Sequence, residues 1–383
     1  MVKKVSLAID DNAQASDSSI AELLKINENL SNVLIEHKNK ITQYHQNKSW
    51  DKFKKLSNEY EMIFTTPSTG HNISVYNPVS RSFFKMWEIL CDFHESFFYE
   101  DQKNITCLFM AEGPGGFAEA FIKYREDQQC KNDMYHGISL RSYQDKNIPD
   151  WKLQKDFMKK ITLHYGEDNT GNLYNIDNIM YLRKHLGTGS IDFITADGGF
   201  DFSADFNNQE DQSFRLILCE IVTALLLQKE GGHFVLKIFD MFNDYTLKLL
   251  QVLKMFYQTM TIVKPLTSRP ANSEKYVVCS GFRSMANSTI LQDMIDLVSN
   301  PQEIKPYFQS MSFDHAILHH LITYNVHYTI RQVYYITRTI KYINKFSNRY
   351  NEPQMNIILD DHTKKSLRWC HKYHIPISSP CSC

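Results

Sequence analysis

Three ionisable residues lie in or beside short apolar runs, where a charge is costly unless it has a partner or a task. Asp197 follows the run 191–196, and Lys237 stands inside GGHFVLKIFD. Glu274 follows a Pro/Asn/Ser turn. A lysine acts as a base when nearby positive charge disfavours its protonation, and carboxylates can orient it. These residue types therefore predict a site that removes or steers a proton. A helix-capping aspartate, a lysine reaching past a sheet edge and an exposed turn glutamate are the alternative interpretations.

A glycine-rich turn follows another apolar run, in CLFMAEGPGGFAEAFI. The run ends at Ala111, and a loop of six residues then opens a helical pattern: Glu112, Gly113, Pro114, Gly115, Gly116 and Phe117. Glycines let the backbone approach a ligand where a Cβ would not fit. The order G-P-G-G lacks the G-x-G-x-x-G spacing of dinucleotide sites, so a compact ligand without a pyrophosphate, such as S-adenosylmethionine, suits it better. A tight loop without a ligand is the alternative.

Alternating strand and helix patterns position these residues. The runs that predict strands are Thr106–Ala111, Tyr135–Leu140, Ile191–Ala196, His233–Phe239, Thr261–Val263 and Tyr276–Ser280. Helix-length segments, notably Ser213–Lys229 and Tyr245–Tyr257, lie between them. This alternation predicts a doubly wound α/β sheet with a ligand crevice at the carboxyl ends of its strands.

Helical patterns flank the alternating region on both sides. They predict two amphipathic helices between Ile20 and about Asn58, a helix from about Ser80, and a long helix from about Phe313 to Phe346, with a loop at Thr65–Pro78. The predicted divisions are a disordered start with an N-terminal helical extension (1–75), an α/β catalytic domain (76–284) and a C-terminal helical region (285–383).

Composition limits the classes of partner. The 383 residues include 42 basic and 43 acidic ones, so binding of a polyanion must come from a local basic patch. No apolar stretch approaches the ~20 residues that span a bilayer, so we expect no membrane partner. The eight cysteines lack a secreted-type spacing and indicate reduced thiols. A C-terminal cluster fits no standard zinc pattern, so we predict no metal site; its members are Cys370, His371, His374, Cys381 and Cys383.

Taken together, these segments resemble the RrmJ/FtsJ-type ribose 2′-O-methyltransferases, especially the cap-specific mRNA enzymes of eukaryotes and large DNA viruses. The shared sequence motifs are the GPGGF loop with its preceding acidic residue, ADGGF, the NxQE stretch at Asn207–Glu210, GGHF–K–FD and the segment that reads KPLTSRPANSEKYVVC in this chain. Order and spacing hold from about Asn58 to Phe282. The resemblance implies a Rossmann-like fold with a mostly parallel seven-stranded sheet, helical additions at both ends, and S-adenosylmethionine as cofactor.

The family catalyses with a Lys-Asp-Lys-Glu tetrad. Asp197, Lys237 and Glu274 match the last three positions, and Lys85, in SRSFFKM, matches the first. The resemblance implies that Lys237 is the base or proton-steering group, with a pKa lowered by Lys85 and by the cofactor's positive charge. Lys85 would position the ribose oxygen. By analogy, the loop from Glu112 to Phe117 holds the methionine end of the cofactor, and Asn172 stands where the family often places an adenine-binding aspartate.

The resemblance implies RNA as partner, most specifically the capped 5′ end of mRNA, together with other capping or transcription proteins. The expected location is cytoplasmic or nuclear; the Asn- and Lys-rich composition also suits a large cytoplasmic virus and its factory or virion. The predicted RNA- and cap-binding residues are Arg81, Asn207, Arg269, Arg331, Arg338 and Lys341.

Two questions of function stay open at this point. The basic tract 331–349, with its interleaved tyrosines, predicts either a phosphate-binding face or a solvated helix whose tyrosines pack on the core. Methylation of ribosomal or transfer RNA is the alternative activity. A catalytically inactive RNA-binding subunit is the alternative of a different class, which the complete tetrad disfavours.

Overall fold

A computed structural model describes residues 17–45, 48–65, 72–98, 104–141, 145, 148–200, 202, 205–284, 288–347 and 352–378. These residues include a seven-stranded sheet flanked by helices, which confirms the predicted fold class. The strands are β1 (Thr106–Met110), β2 (Met134–Ile138), β3 (Ile161–His164), β4 (Ile191–Ala196), β5 (Gln228–Ile238), β6 (Tyr257–Val263) and β7 (Lys275–Phe282).

The strand order is β3-β2-β1-β4-β5-β7-β6. β7 runs antiparallel to its neighbours β5 and β6, and the other neighbouring strands pair in parallel. Because of this reversal, the beginning of β7 lies at the same edge of the sheet as the carboxyl ends of β1, β4 and β5. That edge therefore gathers the glycine loop, Asp197, Lys237 and Glu274 from four separate parts of the chain.

The structure differs from the sequence-based boundaries in several places; among them, β6 begins at Tyr257, four residues before the predicted strand, and α8 begins at Gln209. β3 was not predicted, because its four residues include Thr162 and His164 and form no continuous apolar run. The predicted helix Ser213–Lys229 ends two residues early, at Leu227, where β5 begins. The start of β5 carries Lys229 and Glu230, so an apolar pattern finds only its buried second half, from His233.

The helices cover both faces and both ends of the sheet. They are α1 (Asp17–His45), α2 (Ser49–Leu56), α3 (Ser82–Asp92), α4 (His94–Phe97), α5 (Gly116–Asp127), α6 (Lys155–Met158), α7 (Ile176–Leu186), α8 (Gln209–Leu227), α9 (Asp244–Met255), α10 (Thr289–Ser299), α11 (Ile304–Ser310), α12 (His315–Phe346) and α13 (Glu352–Lys372). Among the residues that the structure describes, no helix combines the length and the apolar character needed to cross a membrane.

The sheet is buried on both faces, as the apolar runs predict. Leu108 and Met110 of β1 pack into a core formed with α8, α9 and α10. Cys107 and Phe109, which alternate with them, pack on the opposite face with α3 and α5. Two apolar layers therefore hold β1 and β4 rigidly between them, which keeps the residues at their carboxyl ends in place.

The terminal helices pack onto this sheet and onto each other. α1 lies along α12, and α2 also contacts α12. Leu34 and Ile41 of α1 join Ile336 and Ile343 of α12 in a third apolar cluster. The N-terminal and C-terminal helical additions therefore form one layer, although about 300 residues separate them in the chain.

Candidate active site

Two lysine–carboxylate pairs lie at the carboxyl edge of the sheet. Nζ of Lys85, on α3, is 2.8 Å from Oε1 of Glu274, in the turn before β7. Nζ of Lys237, near the end of β5, is 3.2 Å from Oδ1 of Asp197, which directly follows β4. All four side chains are largely buried, with 12–15% of their surface exposed. The structure therefore brings together the four residues of the predicted tetrad.

Tyr276 joins the two pairs, and sequence reasoning did not single it out. Its hydroxyl lies 3.1 Å from Oδ1 of Asp197 and 3.1 Å from Oε1 of Glu274. A hydroxyl has one proton, so it donates to one carboxylate at a time. The ring is completely buried and packs against Phe117. Tyr276 stands two residues after Glu274, and that alternation along β7 was the available signal for its position on the same face.

Glu274 is held by several donors. Its carboxylate accepts from Lys85 and from Oγ of Ser268, and its backbone oxygen accepts from Nζ of Lys264. Burial raises the pKa of Glu274, but the positive charges of Lys85, Lys237 and Lys264 outweigh burial and hold this pKa well below its usual range. Glu274 is therefore a fixed negative charge at neutral pH, suited to orienting a lysine.

The predicted lowering of the pKa of Lys237 depends on the positive charge of the cofactor, and in the protein alone this pKa shifts the other way. Burial lowers the pKa of Lys237, but the carboxylates of Asp197 and Glu274 outweigh burial and raise this pKa above the usual value of a lysine. Lys237 also donates to the backbone oxygen of Asp197 at 2.6 Å. The amine of the protein alone is therefore a protonated, firmly oriented donor.

A buried carboxyl group stands at the start of the glycine loop. Glu112 is 3% exposed, and its Oε1 accepts a hydrogen bond from Thr195 of β4. Its Oε2 has no partner among the described residues. Burial, followed by the nearby charge of Asp197, raises the pKa of Glu112 well above its usual range. A buried oxygen without a partner is costly, so this atom is suited to accept a donor group from a ligand.

The glycines of the loop allow close packing. Gly115 has φ +112°, in the left-handed region, and begins α5. A Cβ on Gly116 would meet Oγ of Ser82 at 2.1 Å, so its absence lets α5 approach α3. Phe117 is completely buried, and its ring supports Tyr276. The Glu112 carboxyl faces Thr195, and a Cβ on Gly113 or Gly115 would meet the backbone oxygen of Pro149 at 2.0 Å or Cδ2 of Leu153 at 2.4 Å. Gly116 and Phe117 anchor the loop.

Asn172 lies in a turn between β3 and α7. Its side-chain oxygen accepts from the backbone N–H of Tyr174 at 3.0 Å. Its backbone oxygen accepts from Nδ2 of Asn178 at 2.9 Å. An amide oxygen has a second lone pair, so the predicted acceptance of a hydrogen bond from adenine stays a prediction.

The N-terminal helix α1 reaches this edge of the sheet. Nδ2 of Asn207, the predicted member of a cap pocket, donates to Oδ1 of Asn39 at 2.7 Å. The neighbouring Lys38, 4% exposed on its side chain, forms an ion pair with Asp240, which follows β5. Asp240 also accepts from Oγ of Ser273 at 3.0 Å. Sequence reasoning missed this contribution, because an amphipathic pattern does not show what a lysine on the helix contacts.

The predicted RNA-binding residues Arg81 and Arg269 are bound to the protein itself. Nε and Nη2 of Arg269 donate to the two carboxylate oxygens of Glu61, at 3.1 and 2.7 Å. Nη2 of Arg81 lies 3.6 Å from the same carboxylate and donates to the backbone oxygen of Thr267 at 3.2 Å. Both guanidinium groups therefore fix the segment around Glu61 against the turn that carries Glu274.

The basic tract on α12 does not form one exposed face. Arg338 donates to Glu59 at 2.9 Å and to Tyr342 at 2.9 Å. Arg331 is half-buried, whereas Lys341 is exposed. The interpretation of a single phosphate-binding face on 331–349 therefore does not fit the described residues; Arg349 lies outside them.

The C-terminal cysteine and histidine residues do not lie together in the described part of the chain. Cys370 is completely buried in the core beside Trp369. Cys381 and Cys383 lie outside the described residues. No group of three metal-ligating side chains occurs within the described ranges.

Solved structures with related folds include a ribosomal RNA methyltransferase of Plasmodium falciparum, with a TM-score of 0.38, 22% identity, and coverage of 53% of this chain and 97% of that one. Human methyltransferase-like protein 13, in complex with SAH, has a TM-score of 0.32 and 10% identity, and covers 61% of this chain and 96% of its own.

Curated relatives have higher sequence identity. The cap-specific mRNA (nucleoside-2′-O-)-methyltransferase 1 of Dictyostelium discoideum is 32% identical over 250 residues, which are 60% of this chain and 33% of the relative. Its Drosophila melanogaster counterpart is 37% identical over 186 residues, 47% of this chain and 22% of the relative. The human counterpart is 34% identical over 194 residues, which are 47% of this chain and 22% of the relative. The chain thus spans a fifth to a third of the length of these relatives.

The family is shown by a match over more than half of the chain. Residues 78–282 match the family described as FtsJ-like methyltransferase. The matched residues contain the glycine loop and both lysine–carboxylate pairs. They also contain β1, β4, β5 and β7, whose ends form the edge of the sheet that carries these residues. The chain therefore belongs to the FtsJ-like methyltransferase family, whose cofactor is S-adenosylmethionine.

Proposed function

We propose that this chain is an RNA ribose 2′-O-methyltransferase that modifies the first or second transcribed nucleotide of capped mRNA. One observation supports the proposal above the others: the pairs Lys85–Glu274 and Lys237–Asp197 lie side by side, joined by Tyr276, at the edge of the sheet that carries the glycine loop. Two oriented amines beside each other suit the capture and deprotonation of one hydroxyl group.

The glycine loop and Lys85 have different proposed roles. S-adenosylmethionine, when bound, supplies a methyl group on a positively charged sulfur. Glu112 and the loop up to Gly115 would hold its methionine end, because Oε2 of Glu112 is buried without a partner. Lys85 would hold the ribose oxygen in line with the methyl group.

Lys237 would receive the proton of the ribose hydroxyl. In the protein alone this lysine carries its own proton, since two carboxylates raise its pKa. A further positive charge placed beside it lowers that pKa and favours loss of the proton. Asp197 meanwhile keeps the amine in place through two contacts, so the group stays oriented when its charge changes.

The cap-specific part of the proposal is supported by the relatives and by the added helices. The curated relatives are named as cap-specific mRNA methyltransferases. The tetrad contacts only a ribose and its hydroxyl group. Selection of one ribose therefore needs a second binding site that holds the RNA at a fixed distance from the tetrad. Asn207 and Asn39, exposed beside α1, lie where such a site for a positively charged guanine would be built. The corresponding location in the cell is the nucleus or the cytoplasm, and the catalytic unit is proposed to span 76–284.

Product mapping tests the function directly. Purified protein is incubated with methyl-labelled S-adenosylmethionine and a transcript that carries, or lacks, an N7-methylguanosine cap. We expect a single 2′-O-methyl group on the first or second transcribed nucleotide, with strong dependence on the cap. Equal methylation of uncapped RNA, or modification inside structured RNA, would favour the ribosomal or transfer RNA alternative. RNA binding without methyl transfer would favour an inactive subunit.

A further inference from the structure

A second cavity lies outside the tetrad, between α2, the helical turn at residues 61–63 and α13. Its volume is about 290 Å³, close to the lower end of the range of small-molecule sites, about 300–1,000 Å³. Its walls are mostly apolar side chains: Phe53, Leu56, Met62, Met355 and Leu359. A cavity with this volume and this lining can hold a flat apolar group of moderate size.

One wall of this cavity carries a polar atom that has no partner. His362 of α13 is 1% exposed and lines the cavity. Its Nε2 makes no hydrogen bond to any described residue. Burial lowers the pKa of His362, so the ring is neutral at neutral pH and this nitrogen can donate or accept one hydrogen bond. The cavity therefore suits a group with an apolar face and a polar edge.

The cavity is connected to the active site through Glu61. Glu61 lines the cavity, and its carboxylate pairs with Arg269 and Arg81. Both arginines in turn interact electrostatically with the catalytic-site residue Glu274. Arg81 precedes Lys85 by one helical turn, about 6 Å along the axis of α3. Glu61 and its two arginines therefore connect the cavity to the turn that carries Glu274.

The rim of the cavity is basic. Lys52 and Lys55 of α2 both line it and are exposed to solvent. Positive charge at the rim and an apolar interior match a nucleotide, which combines a phosphate with a flat base. Phe53 and Leu56 of the cavity wall belong to the same apolar cluster as Phe206, which directly precedes Asn207, so an RNA anchored by its cap near Asn207 has this cavity close by.

We propose that this cavity binds a nucleobase of the RNA a few positions downstream of the methylated ribose, with His362 contacting the edge of the base and Lys52 and Lys55 contacting the adjacent phosphates. The inference depends on the proposed function, because it assigns the cavity to the same RNA chain. It gives α13, which lies outside the family match, a part in substrate binding.

The test compares a capped dinucleotide with a capped RNA of about ten nucleotides. Leu359→Trp fills the cavity, and Ile357→Trp adds the same ring on the exposed side of α13, where Ile357 is 70% exposed. We expect Leu359→Trp to raise KM for the longer RNA about tenfold and to leave the dinucleotide unchanged, because stacking of one base corresponds to about fivefold to 150-fold in affinity. Ile357→Trp should change neither. Equal losses on both RNAs, or no loss on the longer one, would overturn the proposal.

A second pair of measurements separates the cavity from the proposed activity. A series of longer RNAs, each lacking the base at one position, should identify a single downstream position that matters. Removal of that base should raise KM in the wild type and leave KM of Leu359→Trp unchanged. Lys55→Glu should weaken binding of the fluorescein-labelled longer RNA, followed by anisotropy without cofactor, with a smaller effect at high salt. Unchanged anisotropy in both variants would refute the cavity even if methyl transfer is normal. If the wild type transfers no methyl group but the two variants bind the longer RNA more weakly, only the proposed activity is refuted and the cavity proposal stands.

Discussion

Nζ of Lys237 lies 2.6 Å from the backbone oxygen of Asp197 and 3.2 Å from the carboxylate of the same residue. The lysine is thus held by one residue through two different groups. The backbone contact persists whatever the charge of the carboxylate, so orientation of the amine and control of its pKa are separable. Gly199 makes room for this arrangement, because a Cβ there would lie 3.1 Å from the same Nζ.

Replacing Lys237 by alanine should reduce kcat by at least about 10²-fold, since that is the lower range for a positioned proton-transfer group. Affinity for cofactor and the thermal midpoint should change little. Lys229→Ala, at the exposed beginning of the same strand, is the matched control and should keep full activity. Turnover of Lys237→Ala close to that of the control would contradict the proposed role.

Tyr276→Phe should retain the fold and lose turnover. The ring stays in its buried position against Phe117, but the hydroxyl that links Asp197 and Glu274 is removed. Hydrogen bonds to charged groups contribute about 1.5–3 kcal/mol, so kcat should fall about tenfold to a hundredfold. Steady-state kinetics with a thermal melt checks this; a drop in thermal stability with unchanged kcat would assign the hydroxyl a purely structural role.

Glu112→Gln should weaken cofactor binding without unfolding the chain. The amide preserves the size of the side chain and can still accept from Thr195. It replaces one carboxyl oxygen by an NH2 group, which cannot accept a hydrogen bond from a ligand, and this should raise Kd for S-adenosylmethionine about tenfold. Calorimetry measures the change, with Glu126→Gln at the far end of α5 as control. Gly115→Val is a poor alternative, because a Cβ there would lie 2.4 Å from Leu153, in a left-handed backbone conformation.

Lys38→Ala should destabilise the protein much more than Lys40→Ala on the same helix. Lys38 neutralises the buried Asp240, and its loss would leave a buried charge, at a cost of about 3 kcal/mol. Lys40 pairs with Glu36 at the surface, where such pairs contribute about 0–1 kcal/mol. Urea unfolding of both variants gives the comparison. Nζ of Lys275 also lies 3.8 Å from Oδ1 of Asp240, so equal stabilities would mean that Lys275 alone compensates Asp240.

Stability should fall as the pH rises from about 4.5 to 8, in part because of Glu220. Burial raises the pKa of this carboxyl from 4.5 to about 8, with Asp197 contributing in the same direction. The folded chain therefore binds the proton more tightly than the unfolded chain, and the free energy of unfolding decreases through this window. Glu220→Gln should flatten the profile, as followed by urea unfolding at several pH values. An identical slope in the variant would exclude Glu220 as a source.

Six of the seven strands and the three residues Asp197, Lys237 and Glu274 were visible in the sequence itself, and the reason is physical. Strands buried on both faces, such as β1 and β4, are continuous apolar runs, so their ends and the residues that follow them are visible in the sequence. Lys85 was found through the resemblance alone, since a lysine on a helix carries no such signal.

The partners of the charged groups could not be predicted. Arg269 pairs with Glu61, which lies 208 residues away, and Arg338 pairs with Glu59, 279 residues away. A sequence pattern shows a basic residue but not the acid that the fold brings to it, so these ion pairs were not predicted, and RNA contacts of the same arginines stay a prediction. The direction of the pKa shift of Lys237 in the protein alone was not predicted for the same reason, because it depends on how closely two carboxylates approach.

The position of β7 has a consequence for how the chain folds. β6 pairs only with β7, and β7 also completes the edge of β5, yet β7 is the last of the seven strands to be synthesised. Until residues 275–282 have emerged, β5 presents an open edge and β6 has no strand to pair with. Open apolar edges are the sites where chains associate wrongly. The nascent chain therefore carries its greatest risk of aggregation just before the strand that bears Tyr276 is complete. Slow translation at that stage should decrease the yield of folded protein, and low temperature, which weakens apolar association, should increase it.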